Sequence, residues 1–380
     1  MRVAYLGETA RHPLHGVGET TVQLAHGLMQ TRGADEMLLF ASDPKPWLGF
    51  GCSNTVGSAR KIELPPMARR SRGARILWEQ LVLPERLRTE AVDLVHAPAY
   101  VLPLRLRTPS VLTVHDLLTI THPELCKPET RVHYGLLLRH SIRRARKVIV
   151  PSHTVRDQLR DHLGVAEDKI VVVLPGLDAH FHRAPERRDL EDVRARYRLP
   201  RDFILVPGRL EPKKNLPRLI AAFHAAKRLG LPGELVLMGA SGWGVRSLHL
   251  ADLACVRWIG YVSPADRPLL YRLASAVAFP SLAEGFGLPV IEALACATPV
   301  VASDVPAVRE VGSDAVVTVD PWSTSSIADG LMQVRQSRPS AAQLKTPSLG
   351  IEARFCWQRA AKQTWQIYRE AMGSMTGCGE

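Results

Sequence analysis

Pro280-Ser281-Leu282-Ala283-Glu284-Gly285-Phe286-Gly287-Leu288-Pro289-Val290-Ile291-Glu292-Ala293-Leu294 follows the apolar run Ala276–Phe279. Together they read as a strand, a tight loop and a helix. Gly285 and Gly287 let the backbone turn with no Cβ in the way, and Pro289 suits the first turn of a helix. Backbone N–H groups at such a helix start make an anion site. Glu284 falls in the loop and Glu292 about one turn inside the helix, so the two carboxylates can flank a bound anion and reach hydroxyls on either side of it. Taken alone, the same pair also reads as a solvated loop acid and a partner of the helix dipole.

A second strand–loop–helix lies upstream. The run Phe203–Val206 leads into Pro207-Gly208-Arg209-Leu210-Glu211-Pro212-Lys213-Lys214-Asn215-Leu216 and a helix to about Leu229. Arg209 ends the strand and Lys214 opens the helix. Arginine offers a planar fork to phosphate oxygens and lysine a point charge. No D-x-D occurs, so no carboxylate-held metal is advertised; two cations and a helix N-terminus can stabilise a departing diphosphate instead. In the first half, Gly16-Val17-Gly18 precedes an amphipathic helix, without the third glycine of a dinucleotide fingerprint. His115-Asp116 follows the strand Val111–Val114. A G-x-G also reads as a simple turn, and a histidine there also reads as structural.

These loops sit in a longer alternation of short apolar strands and helix-length segments, which implies parallel α/β sheets. Strands are read at Val3–Leu6, Met37–Phe40, Val92–His96, Val111–Val114, Val148–Val150 and Ile170–Leu174. A second set of similar size falls at Phe203–Val206, Leu235–Met238, Val256–Ile259, Ala276–Phe279, Val300–Ala302 and Val316–Val319. Two doubly wound Rossmann-like domains follow, joined near Leu174-Pro175-Gly176-Leu177-Asp178. They are expected to face each other across a cleft at the carboxyl ends of both sheets, where ligands of open α/β sheets bind. A last helix is read over Ile351–Met372.

Composition fits this picture. The chain has 380 residues, 46% hydrophobic and 23% charged, enough for two globular domains. Its longest weakly charged stretch, Gly285–Ser303, holds Glu292, Pro289 and Pro299, which excludes a membrane span. The N-terminus lacks the apolar region and cleavage site of a signal peptide. Six scattered cysteines without a C-x-x-C pair suggest reduced thiols and a cytoplasmic location. Lysine and arginine exceed aspartate and glutamate by 49 − 37 = 12, which favours anionic partners: nucleotides, phosphorylated lipids or a membrane face. No recognised module supports nucleic acid.

The spacing Gly208-Arg209 to Lys214, then Glu284-Gly285-Phe286-Gly287 to Glu292, resembles the retaining glycosyltransferases of family four, which have the GT-B fold. The likeness extends to Gly16-Val17-Gly18, His115-Asp116, Val150-Pro151-Ser152, Leu174 to Asp178 and Ile259-Gly260-Tyr261-Val262. Trp78-Glu79-Gln80 and Gly242-Trp243-Gly244 resemble the mannosyltransferase-like branch that builds surface polysaccharide. The resemblance implies a nucleotide-sugar donor, GDP-mannose as the first guess, and neither metal nor other cofactor. Arg209 and Lys214 would hold the diphosphate. Glu284 would bind the sugar hydroxyls, with the backbone N–H groups of Gly285, Phe286, Gly287 and Leu288 nearby, and Glu292 the ribose. His115 would lie near the reacting carbon, Gly16 and Gly18 would let their loop approach the phosphates, and the base would lie by Tyr261 and Val262. It further implies an acceptor domain over 1–177, a donor domain over 178–356 and a closing helix, about 357–380, returning to the first domain. Two departures stand out: Ala297 where glycine is usual, and Pro339 and Pro347 in a region that is often helical.

The acceptor implied is a glycan or a polyprenyl-diphosphate-linked sugar. Arg69-Arg70-Ser71-Arg72-Gly73-Ala74-Arg75-Ile76-Leu77-Trp78 has the composition of a segment touching anionic lipid at the inner membrane face. Arg139–Lys147 is basic too, but it ends a helix, where cations suit the dipole. A glycogen-synthase-like or sugar-phosphorylase variant, a nucleotide-sugar epimerase and a non-catalytic subunit share the scaffold.

Overall fold

The computed structural model describes residues 1–10, 16–41, 43, 45–47, 60–63, 72–244, 254–312, 316–336 and 350–373. Pro339, Pro347, His15, Arg69, Arg70, Ser71, Cys52 and Cys378 lie outside them. The chain divides into two compact units, Met1–Gly176 with Cys356–Glu380, and Leu177–Phe355.

Unit 1 is built on a parallel sheet. Its strands, among the described residues, are β1 (Arg2–Leu6), β2 (Glu36–Ala41), β3 (Arg60–Glu63), β4 (Leu94–Ala97), β5 (Ser110–Thr113), β6 (Lys147–Val150) and β7 (Ile170–Val172), in the order β3-β2-β1-β4-β5-β6-β7. Alternation along β1 explains why it is apolar from Val3 to Leu6. Ala4 and Leu6 join the core on one face, Val3 and Tyr5 the core on the other, as a doubly covered parallel strand requires. β3 is absent from the sequence reading. Arg-Lys-Ile-Glu lies at the edge of the sheet with charged residues at three of its four positions, and charge at an edge blunts pairing with other chains.

The helix Trp357–Gly373 belongs to this unit. It packs on helix Val17–Thr31, where Trp365 Nε1 donates to the Leu28 carbonyl at 3.1 Å. At its centre the Tyr368 hydroxyl meets His96 Nδ1 at 2.6 Å, and His96 Nε2 meets Thr113 Oγ1 at 2.8 Å. The single helix read over Ile351–Met372 is in fact interrupted. The chain is helical at 350–354, breaks at Phe355-Cys356 and restarts at Trp357. Phe355 is buried in unit 2, and its carbonyl accepts from Leu177 N at 3.0 Å, so tertiary contacts override the helical periodicity.

Unit 2 repeats the winding with six described strands: β8 (Phe203–Pro207), β9 (Glu234–Met238), β10 (Val256–Gly260), β11 (Ala276–Phe279), β12 (Val300–Ser303) and β13 (Val316–Val319), ordered β10-β9-β8-β11-β12-β13. All pairs are parallel. In both units the winding direction reverses between two central strands, β1 and β4 in one, β8 and β11 in the other. Such a reversal leaves a crevice past the carboxyl ends of the strands. Ala297 takes φ +60°, so the tight turn usually given to glycine is kept, at a cost of about 1 kcal/mol.

Candidate functional site

The loops after β8 and β11 meet at the reversal in unit 2. Leu282 N donates to the Lys213 carbonyl at 2.8 Å, which zips them together. Asn215 locks the junction. It is buried, at φ +58°, and its Nδ2 donates to the carbonyls of Pro280 at 3.2 Å and Pro321 at 2.6 Å. Asparagine is one of the few residues that tolerates this left-handed conformation. Lys214 therefore lies in the one-turn element Pro212–Lys214, and the helix proper runs over Leu216–Arg228. The reading that Lys214 opens the helix is corrected by that inserted turn.

This junction brings Lys214 and Glu284 into contact. Lys214 Nζ donates to Glu284 Oε1 at 2.7 Å, while Lys213 Nζ lies 3.4 Å from Oε2. Burial alone would push the Glu284 carboxyl up, but the Lys213 and Lys214 ammoniums hold it down at about 2. Burial likewise pushes the Lys214 ammonium below its ordinary value, against the opposing pull of Glu284. The Phe279 ring lies 4.1 Å beneath Lys214 Nζ and adds a cation–π contact. The cluster is thus two cations around one anion, held against an apolar floor. An ammonium carries three donors; Lys214 spends one on Glu284.

Arg209 stands outside the cluster. It is half-exposed, with Nε 3.3 Å from the Ser241 carbonyl and 3.6 Å from Glu211 Oε1. Its backbone is nonetheless tied to the same place. Gly239 sits at φ +143° with its Cα against the Gly208 carbonyl, leaving no room for a Cβ, and Gly208 N donates to Met238 O at 2.9 Å.

Gly285, Phe286 and Gly287 are buried, and Gly287, at φ +98°, caps the helix Leu288–Ala295. The N–H groups of Phe286, Gly287 and Leu288 donate to no described group, and Pro289 has none to give, so the open donors converge on the loop that carries Glu284. Glu292 is placed deeper than the reading implied. It is 5% exposed; its Oε2 accepts from the Tyr271 hydroxyl at 2.5 Å, and Oε1 lies 3.8 Å from Arg267 Nη1. Burial, then the Glu292 charge, push the Tyr271 phenol well up. Tyr261 is exposed and Val262 buried, just past β10.

The remaining site residues belong to unit 1. Gly16 caps helix Val17–Thr31 at φ +47°, with Gly18 buried in its first turn. His115 follows β5, and its Nε2–H donates to the Pro98 carbonyl at 2.7 Å. Burial pushes its pKa down, against the Pro98 bond, so the ring is held neutral with Nδ1 as acceptor. Sequence reasoning missed Lys213, Asn215 and Tyr271. Asn215, directly before the helix-opening Leu216-Pro217, was the available signal; Tyr271 sits inside a helix and announces nothing.

Comparison with known proteins follows the same division. Residues 14–181 match the model described as Glycosyltransferase Family 4, and residues 190–347 that of Glycosyl transferases group 1. The chain is 28% identical to O-antigen chain mannosyltransferase B of Escherichia coli over 97% of its own length and 100% of that protein. It is 32% identical to the D-inositol 3-phosphate glycosyltransferase of Saccharomonospora viridis, over 66% of this chain and 61% of the relative. Among solved structures, Anabaena HepE in complex with UDP-glucose superposes with a TM-score of 0.73 at 18% identity, covering 97% of this chain and all of that one.

Proposed function

This chain is a GT-B-fold glycosyltransferase of the family 4 type, and on that premise we propose that it transfers a hexose from a nucleotide sugar with retention of the anomeric configuration. The donor put first is GDP-mannose, and the acceptor a glycan or a polyprenyl-diphosphate-linked sugar in surface-polysaccharide synthesis. The observation that carries this reading is the Lys213–Glu284–Lys214 cluster at the reversal of unit 2, beside open backbone donors.

The chemistry follows from that cluster. Lys214 turns its two remaining N–H donors to the diphosphate, joined by Arg209 and the amides of Phe286, Gly287 and Leu288. Glu284, held ionised by its two lysines, accepts hydrogen bonds from the hexose hydroxyls. Glu292 takes a ribose hydroxyl, the base lies by Tyr261 and Val262, and Gly16 and Gly18 let their loop come close to the phosphates. As the anomeric C–O bond breaks, charge builds on the diphosphate, and fixed cations stabilise it without reorganising. The acceptor hydroxyl attacks from the face the diphosphate leaves, and its proton passes to a phosphate oxygen. His115 lies near the reacting carbon. No metal takes part.

The work is cytoplasmic, at the inner membrane face. Among the described residues no helix is long and apolar enough to cross a membrane. Helix Arg72–Leu81 exposes Leu77 and Leu81, and helix Pro128–Arg144 exposes Val132 and Leu136 in line with Arg139 and Arg143. That mixture of apolar and cationic side chains suits anionic lipid and supports peripheral contact.

A donor screen tests the reading. Thermal stabilisation is scored with GDP, UDP, ADP and dTDP sugars, then product configuration is assigned by NMR. GDP-mannose is expected to stabilise most and to give an α-linked product; no stabilisation by any nucleotide sugar would remove the proposal.

A further inference from the structure

The loop that carries Glu284 has little of its own to hold it still. Gly285 and Gly287 flank Phe286, and Gly287 sits at φ +98°, so the backbone on either side of Phe286 lacks the restraint a Cβ imposes. The Phe286 side chain is the large group between them, and it is buried. Its edge-to-face partner is Phe355, with ring centroids 5.8 Å apart and planes at 74°.

Phe355 occupies an unusual place for a core residue. It is the last residue of unit 2, and Leu177 is the first. The Phe355 carbonyl accepts from Leu177 N at 3.0 Å, and its own N–H donates to the Ile351 carbonyl at 2.8 Å, so its backbone is pinned on both sides. The Arg354 guanidinium lies 5.0 Å over the Phe355 ring and donates to the Glu310 carbonyl at 3.0 Å. Just across the unit boundary, Gly176 runs against Trp357: a Cβ at 176 would stand 2.3 Å from Trp357 N. The two chain segments that join the units therefore run paired. From that pair Phe355, only 2% exposed, sends its ring against the loop of Glu284.

We propose that Phe355 is a positioning residue for the donor. It holds Phe286 so that the N–H groups of Phe286, Gly287 and Leu288 stay aimed at the diphosphate, and it relays diphosphate binding to the paired segments. The assignment rests on the sugar-transfer reading and adds a residue that acts only through Phe286. Amides stabilise a developing charge best when they are already oriented. A loop with glycine on each side of Phe286 takes that orientation from the ring contact. Coupling of this kind is reciprocal. If Phe355 favours the loop geometry that binds diphosphate, then diphosphate favours the Phe286–Phe355 contact. Through the pinned backbone of Phe355 it also steadies the hydrogen bond from Leu177.

Phe355→Leu keeps an apolar side chain and removes the ring. Calorimetry on the full chain with GDP, UDP, ADP and dTDP first finds the diphosphate that the wild type binds. Phe355→Leu should weaken that diphosphate about fivefold or more. Phe203→Leu is the control. As deeply buried, it starts β8 at the amino end, away from the loops; it should lower the melting temperature yet bind within about twofold of wild type. Hydrogen exchange adds a readout that packing alone would not move: the diphosphate should slow exchange at Leu177 in the wild type and leave it unchanged in Phe355→Leu. The proposal is overturned if Phe355→Leu binds like the wild type, if Phe203→Leu weakens binding as much, or if Leu177 responds alike in both proteins. Binding of none of these diphosphates by the wild type would instead remove the transfer reading, and this assignment with it.

Discussion

At the reversal of unit 2, between β8 and β11, two lysines enclose one glutamate; at the reversal of unit 1, between β1 and β4, a small crevice is lined by Glu8, Arg75, Glu79 and Gln80. The windings are alike, and both crevices lie past the carboxyl ends of parallel strands. Their linings differ. Fold fixes where a ligand can rest, whereas a few loop residues fix the chemistry it meets there. Loop anchoring differs as well. Lys214 is held by a buried asparagine and a backbone zipper, while Gln80 is held by one hydrogen bond from a neighbouring loop.

The sharpest way to break this comparison is to remove the charge that defines one side. Lys214→Ala should lower the transfer rate by about 10²–10³-fold, the scale seen when one transition-state donor is lost. It also leaves Glu284 with a single lysine, so the melting temperature should fall while circular dichroism stays native. Glu284→Ala should cost a similar factor. Gln80→Glu, in the other crevice, should leave nucleotide-sugar stabilisation untouched. Turnover within about twofold of wild type in both unit 2 variants would show that the diphosphate is neutralised elsewhere.

How much of this was legible in the sequence differs between the two crevices, for a physical reason. In unit 2 the chemistry lies in loops where glycine and proline punctuate strand and helix, so Lys214, Glu284 and Gly287 could be singled out there, and the family resemblance gave them roles. In unit 1 the crevice draws Glu8 from just past β1 and Gln80 from the last turn of helix Arg72–Leu81, 72 positions apart. Nothing local marks them; only the sheet brings them together. Strands with apolar runs were legible, even at an edge as with β10, whereas β3, charged at three of its four positions, was not. Asn215 falls between these cases, visible as a residue that favours turns but not as the lock of two loops. Glu292 was legible as a helix residue, whereas its bond to Tyr271 was not.

Acid should separate the two units. His96 is buried among Tyr5, Tyr368 and Thr113, and burial, then the nearby His115, lower its pKa from 6.5 to about 3. The unfolded chain therefore takes up a proton that the folded one refuses. The stabilisation is fully present above pH 6.5 and is lost as pH falls toward 3, at about 1.4 kcal/mol per unit. Glu284, lowered from 4.5 to about 2, contributes stability present above pH 4.5 and lost as pH falls through 2. Between pH 6.5 and 4.5, then, unit 1 should loosen before unit 2. Hydrogen exchange read by mass spectrometry, unit by unit, checks this order. His96→Gln should remove most of the early change, and simultaneous loosening of both units would sink the assignment.

The smallest effects concern one positive-φ glycine in each unit. Ala at 239 must place a Cβ against the Gly208 carbonyl and 3.1 Å from Arg209 N, so the strand end carrying Arg209 has to move. Gly239→Ala should cost about 1–3 kcal/mol of stability and weaken nucleotide-sugar stabilisation. Gly16 also has positive φ, but among the described residues nothing lies within 4 Å of its missing Cβ. Gly16→Ala should therefore cost only the conformational strain, about 1 kcal/mol. Chemical denaturation gives both numbers, and a transfer assay decides their meaning. If Gly16→Ala lowers transfer more than Gly239→Ala while costing less stability, the space at Gly16 is reserved for substrate, because no atom of the described residues is there to be displaced.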